Sequence, residues 1–247
     1  MTYQIQVTLS PAPGVTWTQT FTARSRQWGC LESRCYHDGR IVIPPDQFAY
    51  SKKVPDVRRW RYTRGEPLRR LEPGEELLPT VVALNLESPH LHEYSADFQP
   101  IEPLMNPRSN TRVQKYLPAM LGDEQRLASI LGQPAFRLTA ADIVLINPIP
   151  FQASLVRLWL PEYRGTMLSS VRNNTWNALW EAEYQGVKLY QEDYLERLRA
   201  FSPTLVINAC TAALKEQVTA LLRRRTSYPV MEATSHPSYW DSKTQLV

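Results

Sequence analysis

Residues 80–94 read TVVALNLESPHLHEY. Thr80 to Leu86 is almost wholly apolar, as parallel strands buried on both faces are. The run stops at a polar cluster of Glu87, Ser88, His90, His92 and Glu93. A strand that delivers side chains to the mouth of a site has this texture. Two later stretches repeat it: DIVLINPIPFQ at 142–152 and PVMEATSHPSYW at 229–240. The fold turns on whether these strand ends meet.

The intervening chain predicts how they meet. Asp123 to Leu131 has acids in its first turn and Gly132 after its end, which predicts a short helix. Met167 to Tyr184 and Tyr190 to Phe201 read as two helical pieces, stopped by Pro203. Thr204 to Ile207 predicts a further strand. It leads into a helix over 211–224 with Leu214, Val218, Leu221 and Leu222 on one face. Pro100, Pro103, Pro107 and Pro118 mark a long connection, and Ser242 to Val247 reads as a tail. Strands alternating with helices predict an α/β fold with a parallel sheet and helices on both faces. Ligands in such sheets sit beyond the carboxyl ends of the strands. Glu87 to His92, Asn147 to Gln152 and His236 to Trp240 all fall there.

Upstream the texture differs. Residues 3–9 and 15–22 alternate around Ser10-Pro11-Ala12-Pro13-Gly14, a hairpin signature, and 40–44 adds a short strand. Glu72-Pro73-Gly74 is a breaker. The expected division is a β-rich extension over 1–75 and an α/β domain over 76–247.

The chain has 247 residues, enough for a core without staples, and a net charge of +4 that permits a polyanionic partner without demanding one. Arg58, Arg59, Arg61, Arg64, Arg69 and Arg70 cluster around Trp60 and Tyr62. Guanidinium forks suit phosphates and aromatic faces suit unpaired bases, while a packed surface of snorkelling arginines is the structural alternative. Three cysteines (Cys30, Cys35 and Cys210) and no signal-peptide pattern lead to an expected reduced, cytoplasmic protein. No apolar run approaches the ~20 residues of a membrane span. Neither a glycine-rich phosphate loop nor a nucleotide fingerprint is present. His90 and His92 form an H-x-H pair, but only His37 and His236 remain to complete a metal set, so neither metal nor cofactor is expected. Ser235 and Ser238 lack the context of a hydrolase nucleophile.

The strand ends offer a carboxylate (Glu87), an amide (Asn147) and an imidazole (His236). A carboxylate can deprotonate water or stabilise a cation, and an amide can read a heterocycle edge. A histidine in a tight loop can donate to a leaving group that gains charge. The set suits cleavage of an N-glycosidic bond.

The motifs resemble those of the uracil-DNA glycosylase superfamily. The HPS triplet at 236–238 after a short strand is similar to its C-terminal motif. Asn147 after DIVLI is similar to its base-reading asparagine. LESPH at 86–90 is similar to its first motif in the Gly-Glu-x-Pro version, and TLVINACTAALKEQV to the strand and helix before the last motif. The resemblance spans roughly residues 78–240. It implies a three-layer α/β/α sandwich around a four-stranded parallel sheet, and an enzyme that flips a base out of double-stranded DNA and hydrolyses its glycosidic bond. It implies catalytic roles for Glu87, Ser88, Asn147 and His236, and base contacts from His90, His92, Glu93, Phe151 and Ser238. DNA contacts are expected from Tyr239, Trp240, Arg58, Arg59 and Arg61, without a membrane or an obligate protein partner.

Departures from the pattern point to the substrate. Leu86 replaces the usual glycine, Ser88 stands before the proline, and His90 stands where uracil-specific members place a bulky aromatic gate. The loop continues as Tyr239-Trp240-Asp241 instead of the proline–leucine wedge. A bulky modified base is therefore expected. ESPHxxEY is similar to anti-phage members of the superfamily, which implies glucosylated 5-hydroxymethylcytosine. The alternatives are repair of uracil or other deaminated bases, a non-catalytic DNA-binding protein on the same fold, and a hydrolase of free nucleosides.

Overall fold

The structure is a computed structural model. It describes residues 2–12, 15–24, 31–37, 40–41, 55–90, 93–94, 101, 107–150, 166–184 and 186–247. The strands are β1 (Thr2–Ala12), β2 (Val15–Arg24), β3 (Leu31–His37), β4 (Arg40–Ile41), β5 (Val57–Thr63), β6 (Arg69–Arg70), β7 (Val81–Asn85) and β8 (Ala140–Ile146). They continue with β9 (Glu183–Tyr184), β10 (Val187–Lys188), β11 (Leu205–Asn208) and β12 (Val230–Glu232). The helices are α1 (Pro107–Gly122), α2 (Glu124–Leu131), α3 (Thr166–Trp180), α4 (Leu189–Phe201) and α5 (Ala212–Arg225). None of them is long and apolar enough to cross a membrane.

The chain forms two compact units. One gathers Met1–Pro55, Ser88–Pro103 and Ile149–Asp193; the other gathers Asp56–Glu87, Leu104–Pro148 and Tyr194–Val247. In the first, β1 to β4 make an antiparallel meander. The expected hairpin is present, with Thr8 opposite Thr18 and Val7 opposite Gln19. The first of the two predicted helical pieces stops at Trp180 instead of Tyr184. A small hairpin of β9 and β10 follows, turned by Gly186 at a φ of 79°. Trp176 and Trp180 stack one helical turn apart at 4.8 Å.

The second unit is built on a six-stranded mixed sheet in the order β12-β11-β7-β8-β5-β6. β12, β11, β7 and β8 pair in parallel throughout, and β5 joins β8 antiparallel with β6 beyond it. The sheet is thus larger than the four parallel strands expected, and it is not purely parallel. Its antiparallel edge comes from the arginine-rich stretch. The alternation in VRRWRYT is that of a strand with Trp60 and Tyr62 turned into the core and wholly buried. Read as a surface patch, the same residues hide that alternation.

The parallel strands are short apolar runs because no part of them meets water; Val81, Val82, Ala83 and Leu84 are all 0% exposed. One sheet face carries Val82, Leu84, Ile143, Leu145 and Ile207, clustered with Val113, Leu117, Leu121 and Leu127 of α1 and α2. α2 has the predicted ends: Asp123 caps the Arg126 N–H, and Gly132 closes it at a φ of 62°. α1 was not expected, since its prolines read as loop signals. Pro107 stands at its first position, where no N–H is required, and Pro118 lies inside it.

The end of the chain is also part of the fold, not a tail. Val247 exchanges two backbone hydrogen bonds with Glu232, of 2.8 Å each, and Ala233 bridges Leu246. Leu246 is 1% exposed, a burial that contributes about 1.5–3 kcal/mol.

Candidate active site

The sheet register sets the site. Asn85 lies opposite Ile146 on one side and Asn208 on the other, and Asn208 lies opposite Glu232. These four residues form one level row, so the loops after them leave from the same edge. Glu87, Asn147 and Cys210 follow within two residues of the row, and His236 within four.

Glu87 is a buried carboxylate, 5% exposed. Its N–H donates to Asn147 Oδ1 at 3.4 Å, and its Oε2 accepts the Thr211 N–H at 3.1 Å. Thr211 is the residue before α5, so the positive end of a 14-residue helix faces the carboxylate. Asn147 is itself buried, and its carbonyl accepts from Arg197 at 2.9 Å, while Arg197 also pairs with Asp56 at 2.8 Å. With its amide oxygen held by Glu87, Asn147 has its NH2 end as the group to offer a ligand acceptor.

His236 precedes a single 3-10 turn, Pro237–Tyr239. Its Nδ1 accepts the Ser238 N–H at 3.2 Å and lies 2.8 Å from the Ser238 hydroxyl. A backbone N–H can only donate, so Nδ1 is the accepting nitrogen, and a neutral ring here carries its proton on Nε2. The loop is pinned by Trp240, whose indole N–H donates to Ser235 O at 2.8 Å and whose own carbonyl accepts from Arg112.

The remaining expected residues are placed differently. Trp240 is 0% exposed, a core residue and no surface wedge. Tyr239 is 67% exposed, with the Arg108 guanidinium 5.8 Å from its ring. Arg58 and Arg61 reach Asp142 at 3.3 and 2.9 Å, and Arg61 also pairs with Glu75 at 2.7 Å. Arg59 is buried with its guanidinium over Trp60. Arg58 and Arg61 brace the amino end of the sheet and Arg59 is buried, so the three do not form an open phosphate track. Ser88, His90 and Glu93 belong to the first unit. There Ser88 is half-buried, and the His90 N–H donates to buried Glu93 at 2.7 Å. His92 and Phe151 lie outside the described residues. Among the described residues no three His, Cys, Asp or Glu side chains gather as a metal set.

Several residues at this edge escaped the reading of the sequence. Asn208 ties the strand to α5. Its Nδ2 donates to Lys215 O and to Thr219 Oγ1, both at 2.9 Å, and its Oδ1 accepts the Cys210 N–H at 3.2 Å. Asn85 donates to Tyr194 at 2.5 Å. A signal existed: Leu84-Asn85, Ile146-Asn147 and Ile207-Asn208 are three apolar strands each ending in asparagine. Cys210 is wholly buried. Burial pushes its thiol well above the ordinary range and the Glu87 charge adds to this, so it stays a thiol and no nucleophile. Lys215 donates to Ala233 O, and burial draws its ammonium below the usual lysine range. Comparison with protein-family models, with characterised proteins and with solved structures returns no match.

Proposed function

We propose that the chain is a DNA glycosylase of the uracil-DNA glycosylase type, acting in a reducing cytoplasm on a bulky modified pyrimidine such as glucosylated 5-hydroxymethylcytosine. The observation that carries this reading is the level row Ile146–Asn85–Asn208–Glu232, whose following loops carry Glu87, Asn147 and His236 from one edge. The run of four parallel strands with apolar residues buried on both faces also supports the three-layer sandwich of that superfamily.

In the proposed reaction the target base is flipped out of double-stranded DNA, and the Asn147 NH2 and His236 Nε2–H donate to its acceptors. The C1′–N bond breaks and its electron pair leaves with the base, whose charge His236 stabilises. Water bonds to C1′ through its oxygen and passes a proton to Glu87, while the departing base takes up a proton from solvent. The products are an abasic site and the free base. Tyr239, exposed at the end of the His236 turn, supplies the stacking surface.

The test is base release followed by mass spectrometry on duplexes bearing glucosylated 5-hydroxymethylcytosine, 5-hydroxymethylcytosine, uracil or hypoxanthine. Release from the glucosylated duplex is expected, and loss of release in Glu87→Gln with duplex affinity retained. Release from uracil alone would move the reading to repair. Duplex binding without release, indifferent to Glu87→Gln, Asn147→Ala and His236→Ala, would leave a non-catalytic binding protein.

A further inference from the structure

Thr211 stands at the N-cap of α5, where a threonine hydroxyl ordinarily accepts a backbone N–H of the first turn. Here it makes no such bond. Its Oγ1 is shielded from solvent and has no hydrogen-bond partner, an arrangement that buried hydroxyls rarely adopt. The same residue gives its N–H to Glu87 Oε2 at 3.1 Å. The backbone around it is held from behind, because Asn208 Oδ1 takes the Cys210 N–H and Thr211 O accepts from both Leu214 and Lys215 at 3.0 and 2.9 Å. The hydroxyl is therefore fixed beside a buried carboxylate, and it is withdrawn from the role that threonine normally has at this position.

We propose that Thr211 is a further residue of the site, one that positions the water attacking the sugar; this rests on the glycosylase reading. Its N–H holds the Glu87 carboxylate. Its Oγ1 accepts one hydrogen of the water while Glu87 accepts the other, so the water's lone pair faces C1′. As the C1′–N bond breaks, the water oxygen bonds to C1′ and its proton passes to Glu87. The second hydrogen stays on the new C1′ hydroxyl beside Thr211. Asn208 acts behind this pair by fixing the turn that carries Thr211.

The test compares Thr211→Val, Thr211→Ser and Thr211→Ala with the wild type. Single-turnover base release and affinity are measured for whichever of the modified duplexes the wild type cleaves. Thr211→Val and Thr211→Ala are expected to slow release about tenfold or more with the duplex Kd within about twofold, and Thr211→Ser to restore most of the rate. Thermal melting identifies any variant that fails to fold, and the Ser–Ala pair carries the comparison if the valine variant does. An active wild type whose valine and alanine variants release base as fast, or lose affinity instead of rate, overturns the role of Thr211 alone. A wild type that releases no base from any duplex overturns the glycosylase reading and this role with it.

Discussion

The sheet buries a carboxylate at each end of its parallel run, and the two are held in different ways. At the amino end, Asp142 lies opposite Val81 and is 0% exposed. Arg58, Arg61 and the Leu78 N–H all donate to it, the last at 2.8 Å, and Arg61 passes on to Glu75. At the carboxyl end, Glu87 is held by the Thr211 N–H, with an unpartnered threonine hydroxyl alongside. Asp142 has cations on its lone pairs and serves as a clasp between strands and loop. Glu87 Oε2 instead takes a backbone N–H at a helix terminus. Under the proposed function Asp142 is the structural acid and Glu87 the reactive one.

That contrast can be broken at either end. The largest effect is expected from Glu87→Gln, which keeps the shape and removes the proposed base: single-turnover release should fall by about 10²–10⁴, with melting little changed. Asp142→Ala should do the reverse. It leaves Arg58 and Arg61 without their shared buried acceptor and should destabilise by about 3–5 kcal/mol in denaturant titration, with release per folded molecule unchanged. A variant of Asp142 that folds normally but is inactive would reverse the assignment of the two ends. A smaller effect is expected from Tyr239→Ala, about 1–3 kcal/mol of duplex affinity read by fluorescence anisotropy, whereas Arg61→Ala should cost stability and leave affinity intact.

The smallest effect concerns pH. Hydrogen bonds from Arg69 hold the Glu75 carboxyl at about 2, below its ordinary 4.5. A depressed acid stabilises the fold above the unfolded value, and that stabilisation is lost as pH falls from about 4.5 toward 2. The melting curves of the wild type and Glu75→Gln should therefore differ at neutral pH and converge by pH 2. The separation should be small, because Glu75 is solvated.

Local signals carried the elements whose partners are near in sequence. Asp123 and Gly132 bound α2 as their chemistry requires, and the alternation around Ser10–Gly14 set the first hairpin. The apolar runs Thr80–Leu86, Asp142–Ile146 and Thr204–Ile207 announced parallel strands. What could not be read depends on distant contacts. Pro118 is tolerated inside α1 because Leu117, Met120 and Leu121 beside it are buried in the core. Trp240 after the HPS triplet can be a wedge or a core residue with equal chemistry, and only the fold shows it buried. Thr211 meets Glu87 from 124 positions away, and no pattern around either residue announces the other.

The return of the chain along β12 has a kinetic side. With Val247 bonded to Glu232, and Thr234 accepting the Gln245 N–H at 3.1 Å, residues 235–243 become a loop anchored at both feet. His236 sits at one foot, so part of its conformational freedom is already spent in the fold. Removal of Gln245–Val247 would release that loop. It would also bare a strand edge whose unsatisfied N–H and C=O groups can pair with a second molecule. Gln245–Val247 thus both hold the foot of the His236 loop and cover the outer edge of β12.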